Sequence, residues 1–338
     1  MKTIILTKPG KFRLMEAPHP PPSGPGEALV RVHRIGVCGT DLHAFRGRQP
    51  FFTYPRILGH ELGVEVVAIG PNEVGLAVGD QCAVEPYLNC GQCGACQRGK
   101  PNCCIHLQVL GVHTDGGMRE FITVPMAKLH KSTRLSLDQL ALVETLCIGA
   151  HAVRRAQLTP GEWVLVIGAG PIGLAVIQAA QLAGAKVMVL EINRHRLQFC
   201  HQHLLVESGL DGRADPLTQL QTLLSGDLPT VVFEATGNAH SMINAFRYVA
   251  HGGKLIFVGL FQGDVTFHDP DFHRRELSLL SSRNAISEDF IWIIRMLETG
   301  RINLAPWITH RSALEDIIAE FPQWLEPDNH VIKALIEV

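Results

Sequence analysis

Long apolar runs are missing from this chain. No stretch approaches the ~20 consecutive apolar residues that a membrane helix needs, so no membrane partner is expected. An excess of charge of one sign is missing too. The 30 Lys and Arg face 32 Asp and Glu, a net charge of −2. That balance offers no electrostatic footprint for nucleic acid or an anionic surface. The N-terminus reads MKTIILTKPGKF, and its apolar run is only Ile4, Ile5 and Leu6. That is far short of a signal-peptide core, and the expected location is the cytoplasm. Internal repeats and low-complexity tracts are absent; Pro18 to Pro25 is only a short proline-rich turn. The chain is 46% hydrophobic and 18% charged, with 32 glycines, a composition that suits an α/β protein with many tight turns. Its 338 residues are too many for one comfortable core, so two domains are expected.

Cysteine is what the chain has in supply. There are nine, and without an export signal they point to metal and thiol chemistry in a reducing compartment. Four of them, Cys90, Cys93, Cys96 and Cys104, stand in the frame C-x2-C-x2-C-x7-C. Tetrahedral Zn²⁺ takes four such sulfurs at about 2.3 Å. The residues between them are small, polar and turn-forming, as a chain wrapping a metal requires. A structural zinc lobe over 88–106 is the expectation. A disulfide cluster is the competing reading. Cys103, beside Cys104, could take the fourth place, and spacing does not separate the two.

The first 150 or so residues read as short strands and turns, with Ala28–Val32 and Val64–Ile69 as β-branched runs bounded by Gly and Pro. No amphipathic helix is expected before residue 137. From about residue 160 the texture alternates. Trp163–Gly168, Lys186–Glu191, Thr230–Ala235 and Lys254–Leu260 read as strands. Ile172–Leu182, Asn193–His203 and Ser241–Val249 read as helices. This alternation predicts a doubly wound parallel sheet. The tail carries a helix over Asp289–Glu298 and a strand over Val331–Val338, which needs a partner sheet and so is expected to return to the first domain.

Gly168-Ala-Gly170-Pro171-Ile172-Gly173 follows the strand WVLVIG and opens an apolar helix. G-x-G-x-x-G in that context is the dinucleotide fingerprint. Gly168 would make the tight turn, Gly170 would let the backbone approach a pyrophosphate, and Gly173 would permit close helix–sheet packing. The helix N-terminus suits phosphates. Glu191, at the end of the second strand, suits a ribose 2′-OH and repels a 2′-phosphate, which favours NAD over NADP. Arg194 and Arg196 pull the other way, since either could pair with a phosphate.

Cys38, in V-C-G-T-D-L-H, and His60-Glu61, in G-H-E, prove little as a pair. Their company gives them weight: a dinucleotide domain, a cysteine lobe, and Glu144 in V-E-T-L near the domain junction. Cys, His and carboxylate ligands hold catalytic Zn²⁺ while leaving one position open.

Taken together, C-G-T-D-L-H, G-H-E, the four-cysteine lobe, D-G-G-M-x-E-F, the glycine fingerprint, E-A-T-G-N and F-V-G-L resemble the zinc-containing medium-chain dehydrogenases (alcohol, sorbitol, threonine and related enzymes). The resemblance spans essentially the whole chain. It implies a β-rich GroES-like catalytic domain over 1–148 and 285–338, interrupted by a Rossmann NAD-binding domain over 149–284. It implies two zinc ions per chain. One is structural, on the cysteine lobe; the other is catalytic, on Cys38 and His60 with Glu144 as third ligand and Glu61 beside it or exchanging with it. Thr40 would take the hydrogen bond of the substrate hydroxyl and His43 would carry the proton outward. The cofactor site extends to Pro171, Ile172, Arg196, Thr236, Val258, Gly259 and Leu260. Two departures from the family pattern stand out. Val64 occupies a usual glycine position, with Gly63 before it, and Thr145 replaces a usual proline. A dimer or tetramer built by continuing the Rossmann sheet is implied, with the apolar Leu255–Leu260 segment as the candidate edge.

A finer resemblance is to the L-gulonate and L-galactonate 5-dehydrogenases, carried by R-G-R-Q-P-F-F-T-Y-P-R-I-L-G-H-E, G-V-H-T-D-G-G-M and S-S-R-N-A. It implies a sugar-acid substrate, with His113, Arg283 and Asn284 near it. Competing readings are a polyol or threonine dehydrogenase, a zinc-free quinone reductase and a non-enzymatic NAD-binding protein.

Overall fold

Alternation of buried and open positions writes the first sheet. In Glu27–Gly36, Ala28, Val30 and Val32 point into the core while the residues between them are less buried. This computed structural model describes residues 1–21 and 24–338; Pro22 and Ser23, inside the proline-rich turn, lie outside the described residues. The chain forms two compact units, Met1–Glu144 with Ala285–Val338, and Thr145–Asn284.

The first unit is built on a mainly antiparallel sheet. Its strand order is Ile308–Ala313, Lys333–Glu337, Glu27–Gly36, Glu61–Ile69, Gln81–Val84 and Leu129–Lys131, with Phe121–Pro125 also pairing Glu27–Gly36. The C-terminal strand therefore lies against the first segment, with Leu335 opposite Gly36. A buried carboxylate ties in the rest of the returning tail. Glu85 is 1% exposed and receives Lys128, His130 Nε2 at 3.0 Å and Ser287 Oγ at 2.7 Å. Ser287 opens the helix Ser287–Glu298, whose Phe290 stacks on His130. Burial pushes Glu85 up, but His130 and Lys128 outweigh it and hold the carboxyl below its ordinary value.

The second unit is a six-stranded parallel sheet in the order Ser208–Asp211, Lys186–Glu191, Trp163–Ile167, Val231–Glu234, Lys254–Phe257, Ser278–Ser281. This is the doubly wound order with its switch point beside the first strand, at the glycine turn. Leu165, Met188, Val232 and Leu255 are fully buried across it.

Several elements depart from expectation. A seven-residue helix, Gly39–Phe45, stands well before residue 137; it is too short to show a periodic apolar face. The 14-residue helix Val143–Ala156 runs through the expected boundary at 148/149, and the units divide at 144/145 instead. Strand Ser208–Asp211 and helix Pro216–Leu223 are additional to the elements that the sequence pattern predicts. The apolar Leu255–Leu260 segment is not a sheet edge. Its strand, Lys254–Phe257, is paired on both sides, which is why it is apolar. The outer strand on that side is Ser278–Ser281. The two family departures also find a setting. A side chain on Gly63 would lie 2.3 Å from the Leu137 carbonyl oxygen, so Gly63 is the position that must stay bare. Thr145 sits in the first turn of the helix Val143–Ala156.

Candidate active site and metal centres

Cys38, His60 and Glu61 come together from two elements. Cys38 caps the helix Gly39–Phe45, its Sγ accepting from the Thr40 N–H at 3.4 Å and its own N–H donating to Asp41 Oδ2 at 3.0 Å. Glu61 opens the strand Glu61–Ile69 and His60 immediately precedes it. One ligand atom from each of the three residues falls within 4.8 Å of the others. Asp41 is fully buried, and its Oδ1 is 3.7 Å from His60 Nδ1; neither atom has a hydrogen-bond partner. A carboxylate behind a histidine of this kind orients the ring of a metal ligand. Burial pulls His60 down, yet Asp41, Cys38 and Glu144 together hold it well above its ordinary value. So many anionic groups around one buried imidazole call for a cation, and the donor set fits zinc.

Glu61 and Glu144 are held differently. Lys333, only 1% exposed, brings Nζ to 2.6 Å from Glu61 Oε1 and 2.5 Å from Oε2. Gly36 makes room for this pair, because a Cβ there would lie 2.1 Å from Glu61 Oε2. Glu144, 5% exposed, accepts from the Tyr87 hydroxyl. Burial raises its carboxyl above the ordinary value, and Glu61 adds to the rise. Glu144 does not fall within the tight Cys38–His60–Glu61 group.

The cysteine lobe is a local construction. Cys90, Cys93, Cys96 and Cys104 place their sulfurs within 4.8 Å of one another, and none is in a disulfide. Cys93–Cys96 is 3.5 Å, Cys93–Cys104 3.8 Å and Cys104–Cys90 3.5 Å. A tetrahedron with 2.3 Å metal–sulfur bonds has edges of about 3.8 Å. Backbone N–H groups of Cys90 and His106 donate to Cys104, and that of Cys93 to Cys90. Backbone donors of Cys96 and Ile105 lower the Cys93 thiol to about 6. Cys104 occupies the fourth corner; Cys103 is exposed beside it.

In the second unit, Gly168 has φ +94°, and a Cβ on Gly173 would lie 1.8 Å from the Gly168 carbonyl oxygen. Only glycine fits there. Gly170 caps the helix Pro171–Leu182, and Arg196 Nη1 would be 3.7 Å from a Cβ on Gly170, so a guanidinium lies over the turn. Glu191 accepts from Ala169 N–H on one oxygen and from Ile192 and Asn193 N–H on the other. It therefore braces the glycine turn itself. Three of about four acceptor sites are used, which leaves capacity for a ribose hydroxyl. Buried Glu234 organises the next loop, accepting from Thr236, Gly237 N–H and Ser241 Oγ. Gly259 lies against this loop, where a Cβ would meet Gly237 N at 2.2 Å; Val258 is half-buried and Leu260 is 65% exposed.

Two family models match the chain: the alcohol dehydrogenase GroES-like domain over residues 24–134 and the zinc-binding dehydrogenase over 171–299. The chain belongs to the zinc-binding alcohol dehydrogenase family. It is an oxidoreductase with a GroES-like domain and a Rossmann domain. The L-galactonate-5-dehydrogenase of Escherichia coli K12 is 40% identical over 99% of this chain and 98% of its own. The L-threonine 3-dehydrogenase of Pyrococcus horikoshii is 32% identical over 92% and 91%. Among solved structures, the rspB alcohol dehydrogenase of Escherichia coli CFT073, complexed with NADH, superposes with TM-score 0.93 at 30% identity, covering 100% of this chain and 99% of that one.

The remaining dehydrogenase positions are placed as follows. His43 lies in the last turn of Gly39–Phe45, and burial together with Arg46 and Arg48 pushes its imidazole below the ordinary value. A neutral imidazole is the form that can accept a proton. His113 Nδ1 accepts from the Val109 N–H at 3.1 Å, which puts the ring proton on Nε2; Phe51 stacks on the ring at 6.4 Å. The His113 loop is packed on the segment leading to His60: Gly116 donates to Ile57, Gly117 to Gly59 and Met118 to Leu58. Arg283 and Asn284 close the second unit, whereas His113 belongs to the first. Asn284 has φ +53° and a buried Nδ2 without a hydrogen-bond partner. Lys333, Tyr87, Asp41 and Glu234 were not singled out in the sequence. A lysine inside the apolar strand KALIEV was the one available signal, since buried lysine is rare unless paired.

Proposed function

We propose that this chain is a zinc- and NAD-dependent dehydrogenase that oxidises a secondary hydroxyl, at C5, of a sugar acid such as L-galactonate or L-gulonate. The observation that carries the reading is the 40% identity over 99% of the chain to an L-galactonate-5-dehydrogenase, taken with the Cys38–His60–Glu61 grouping. The family description and that grouping support zinc, and the NADH complex of the rspB structure supports NAD. When bound, zinc supplies Lewis-acid polarisation of the hydroxyl and NAD supplies the hydride acceptor.

The chain's own residues do the rest. Cys38 and His60 would hold the catalytic ion with Glu144 as third ligand and Glu61 beside it or exchanging with it, and the cysteine lobe would hold the structural one. Thr40, two residues from Cys38, accepts the hydroxyl proton's hydrogen bond, and His43 one turn on carries it to solvent. Gly168, Gly170, Pro171, Ile172 and Gly173 seat the pyrophosphate, Arg196 covers it, and Glu191 takes the ribose. Thr236, Val258, Gly259 and Leu260 line the nicotinamide side. His113, Arg283 and Asn284 are the proposed contacts to the sugar acid, with Arg283 the cation for its carboxylate. The working form is a homodimer or homotetramer in the cytoplasm, joined along the outer strand Ser278–Ser281. No helix among the described residues is long and apolar enough to cross a membrane.

The test is a matched panel: aldonates, the corresponding neutral polyols and L-threonine, each with NAD⁺ and NADP⁺. The expected result is the highest kcat/KM for a six-carbon aldonate with NAD⁺. Arg283→Ala should cost about 10- to 100-fold on the aldonate, as loss of a charge-assisted hydrogen bond does, and far less on the polyol. A preference for polyol or threonine overturns the substrate, and a preference for NADP⁺ overturns the reading of Glu191.

A further inference from the structure

Tyr87 stands where three parts of the first unit meet. Its two-residue strand, Tyr87–Leu88, pairs with Gln108–Val109, with Tyr87 opposite Val109. Asn89 and Cys90 of the lobe follow directly in sequence. The ring is 3% exposed and packs edge-on against Phe290 at 6.4 Å. Its hydroxyl donates to Glu144 Oε1. The phenol is thus held by a strand pairing and a ring contact, and it reaches a carboxylate 57 residues away in sequence.

Charge distinguishes the two carboxylates near His60. Glu61 already has a cation, Lys333, across both oxygens. Glu144 has a neutral donor on one oxygen. A phenol satisfies a lone pair and fixes the rotamer without cancelling the charge. With an ion bound, Cys38 as a thiolate and Glu144 as a carboxylate would sum to −2, the complement of a divalent ion, while Glu61 and Lys333 cancel. A lysine in place of Tyr87 would have spent that charge. We propose that Tyr87 is a positioning residue for the catalytic metal: its hydroxyl orients Glu144 and leaves that carboxylate's charge for the ion. The inference rests on the zinc reading of the Cys38–His60 site.

Outer groups that orient a ligand typically change metal affinity by about 10- to 100-fold when removed. Tyr87→Phe keeps the ring and removes the hydroxyl. The experiment follows zinc release from the purified holoenzyme to a coloured chelator, beside total zinc content. Wild type should release two zinc ions in two phases; a wild type with one zinc or none would sink the zinc reading itself and is told apart by that count. In Tyr87→Phe the faster phase should speed up by about tenfold or more, the slower phase staying as it was. In a Glu144→Gln background Tyr87→Phe should change nothing further, because the hydroxyl acts through Glu144. Unchanged or slower release in Tyr87→Phe, or an equal effect in both backgrounds, overturns the proposal. A second measurement needs no variant of Tyr87. The chain has three tyrosines, Tyr54, Tyr87 and Tyr248, so fluorotyrosine labelling gives three resolvable ¹⁹F signals. The Tyr87 signal should move on removal of the weakly held zinc while the other two stay. A Tyr87 signal that does not move overturns the proposal as well.

Discussion

The two candidate metal centres are built in opposite ways. The cysteine lobe draws all four sulfurs from residues 90–104, and its donors are backbone N–H groups of the same stretch. The Cys38–His60 site draws on distant pieces of chain. Cys38 caps one helix, His60 and Glu61 start a strand, Glu144 opens another helix, and Lys333 returns from near the C-terminus. A local site needs only a loop and its ion. An assembled site needs the whole unit folded first, and the ion enters a place already made. The lobe's metal should therefore be part of folding, and the other metal part of chemistry.

The largest expected effect breaks the comparison at the lobe. Cys93→Ser removes one corner of the tetrahedron, and structural zinc carries folding free energy of about 10–16 kcal/mol in small zinc domains. Soluble, folded protein should be lost or its Tm should collapse. His60→Ala should keep the fold and lose most of its turnover, because the catalytic ion loses a ligand. Circular dichroism, zinc content and kcat on both variants decide it. A folded, active Cys93→Ser enzyme would show that the lobe is dispensable.

The same contrast governs what could be read from sequence. The lobe was legible because spacing alone places three of its ligands and narrows the fourth to Cys103 or Cys104. The glycine turn was legible because Gly168 and Gly173 need a bare Cα, and only glycine provides one. The six-stranded sheet was legible where strands are apolar, but Ser208–Asp211, an outer strand with Gly209 in it, carries too little pattern. Leu255–Leu260 was read as an edge for its apolarity, when apolarity marks a strand covered on both sides. The Cys38–His60 site was legible only through the company of its motifs. Its surroundings were not: Tyr87 meets Glu144, and Lys333 meets Glu61 across 272 residues. No local pattern encodes such a meeting.

Lys333→Met sharpens the comparison. It leaves Glu61 buried without its cation, and breaking a buried pair from one side costs about 3–5 kcal/mol. Denaturant unfolding of the metal-free protein should show that loss. Excess zinc should recover part of it, since a divalent ion beside Glu61 restores the balance. No comparable rescue is available to the lobe variant, whose ligand is gone. A loss below about 1 kcal/mol in the metal-free protein would mean that Lys333 does not balance Glu61.

The smallest effect concerns how the assembled unit is closed by its returning tail. Glu85 joins Lys128 and His130 to Ser287 at the head of Ser287–Glu298. Its carboxyl is held below the ordinary value of 4.5 despite burial, by His130 and Lys128. For an acid with a depressed folded pKa, the native state favours the ionised form. The stabilisation is therefore complete above pH 4.5 and is lost as pH falls through the depressed value. Glu85→Gln keeps the shape and removes the charge. At neutral pH it should cost about 1.5–3 kcal/mol, the range for hydrogen bonds to a charged group. The gap in Tm between wild type and variant should narrow as pH drops below 4.5. Zinc loss in acid affects both proteins alike, so the difference between them isolates Glu85. A gap that stays constant from pH 7 down to about 3.5 would show that the cluster holds by shape and not by charge. The tail, and with it Lys333, would then be anchored by packing of Phe290 on His130 and by strand pairing alone.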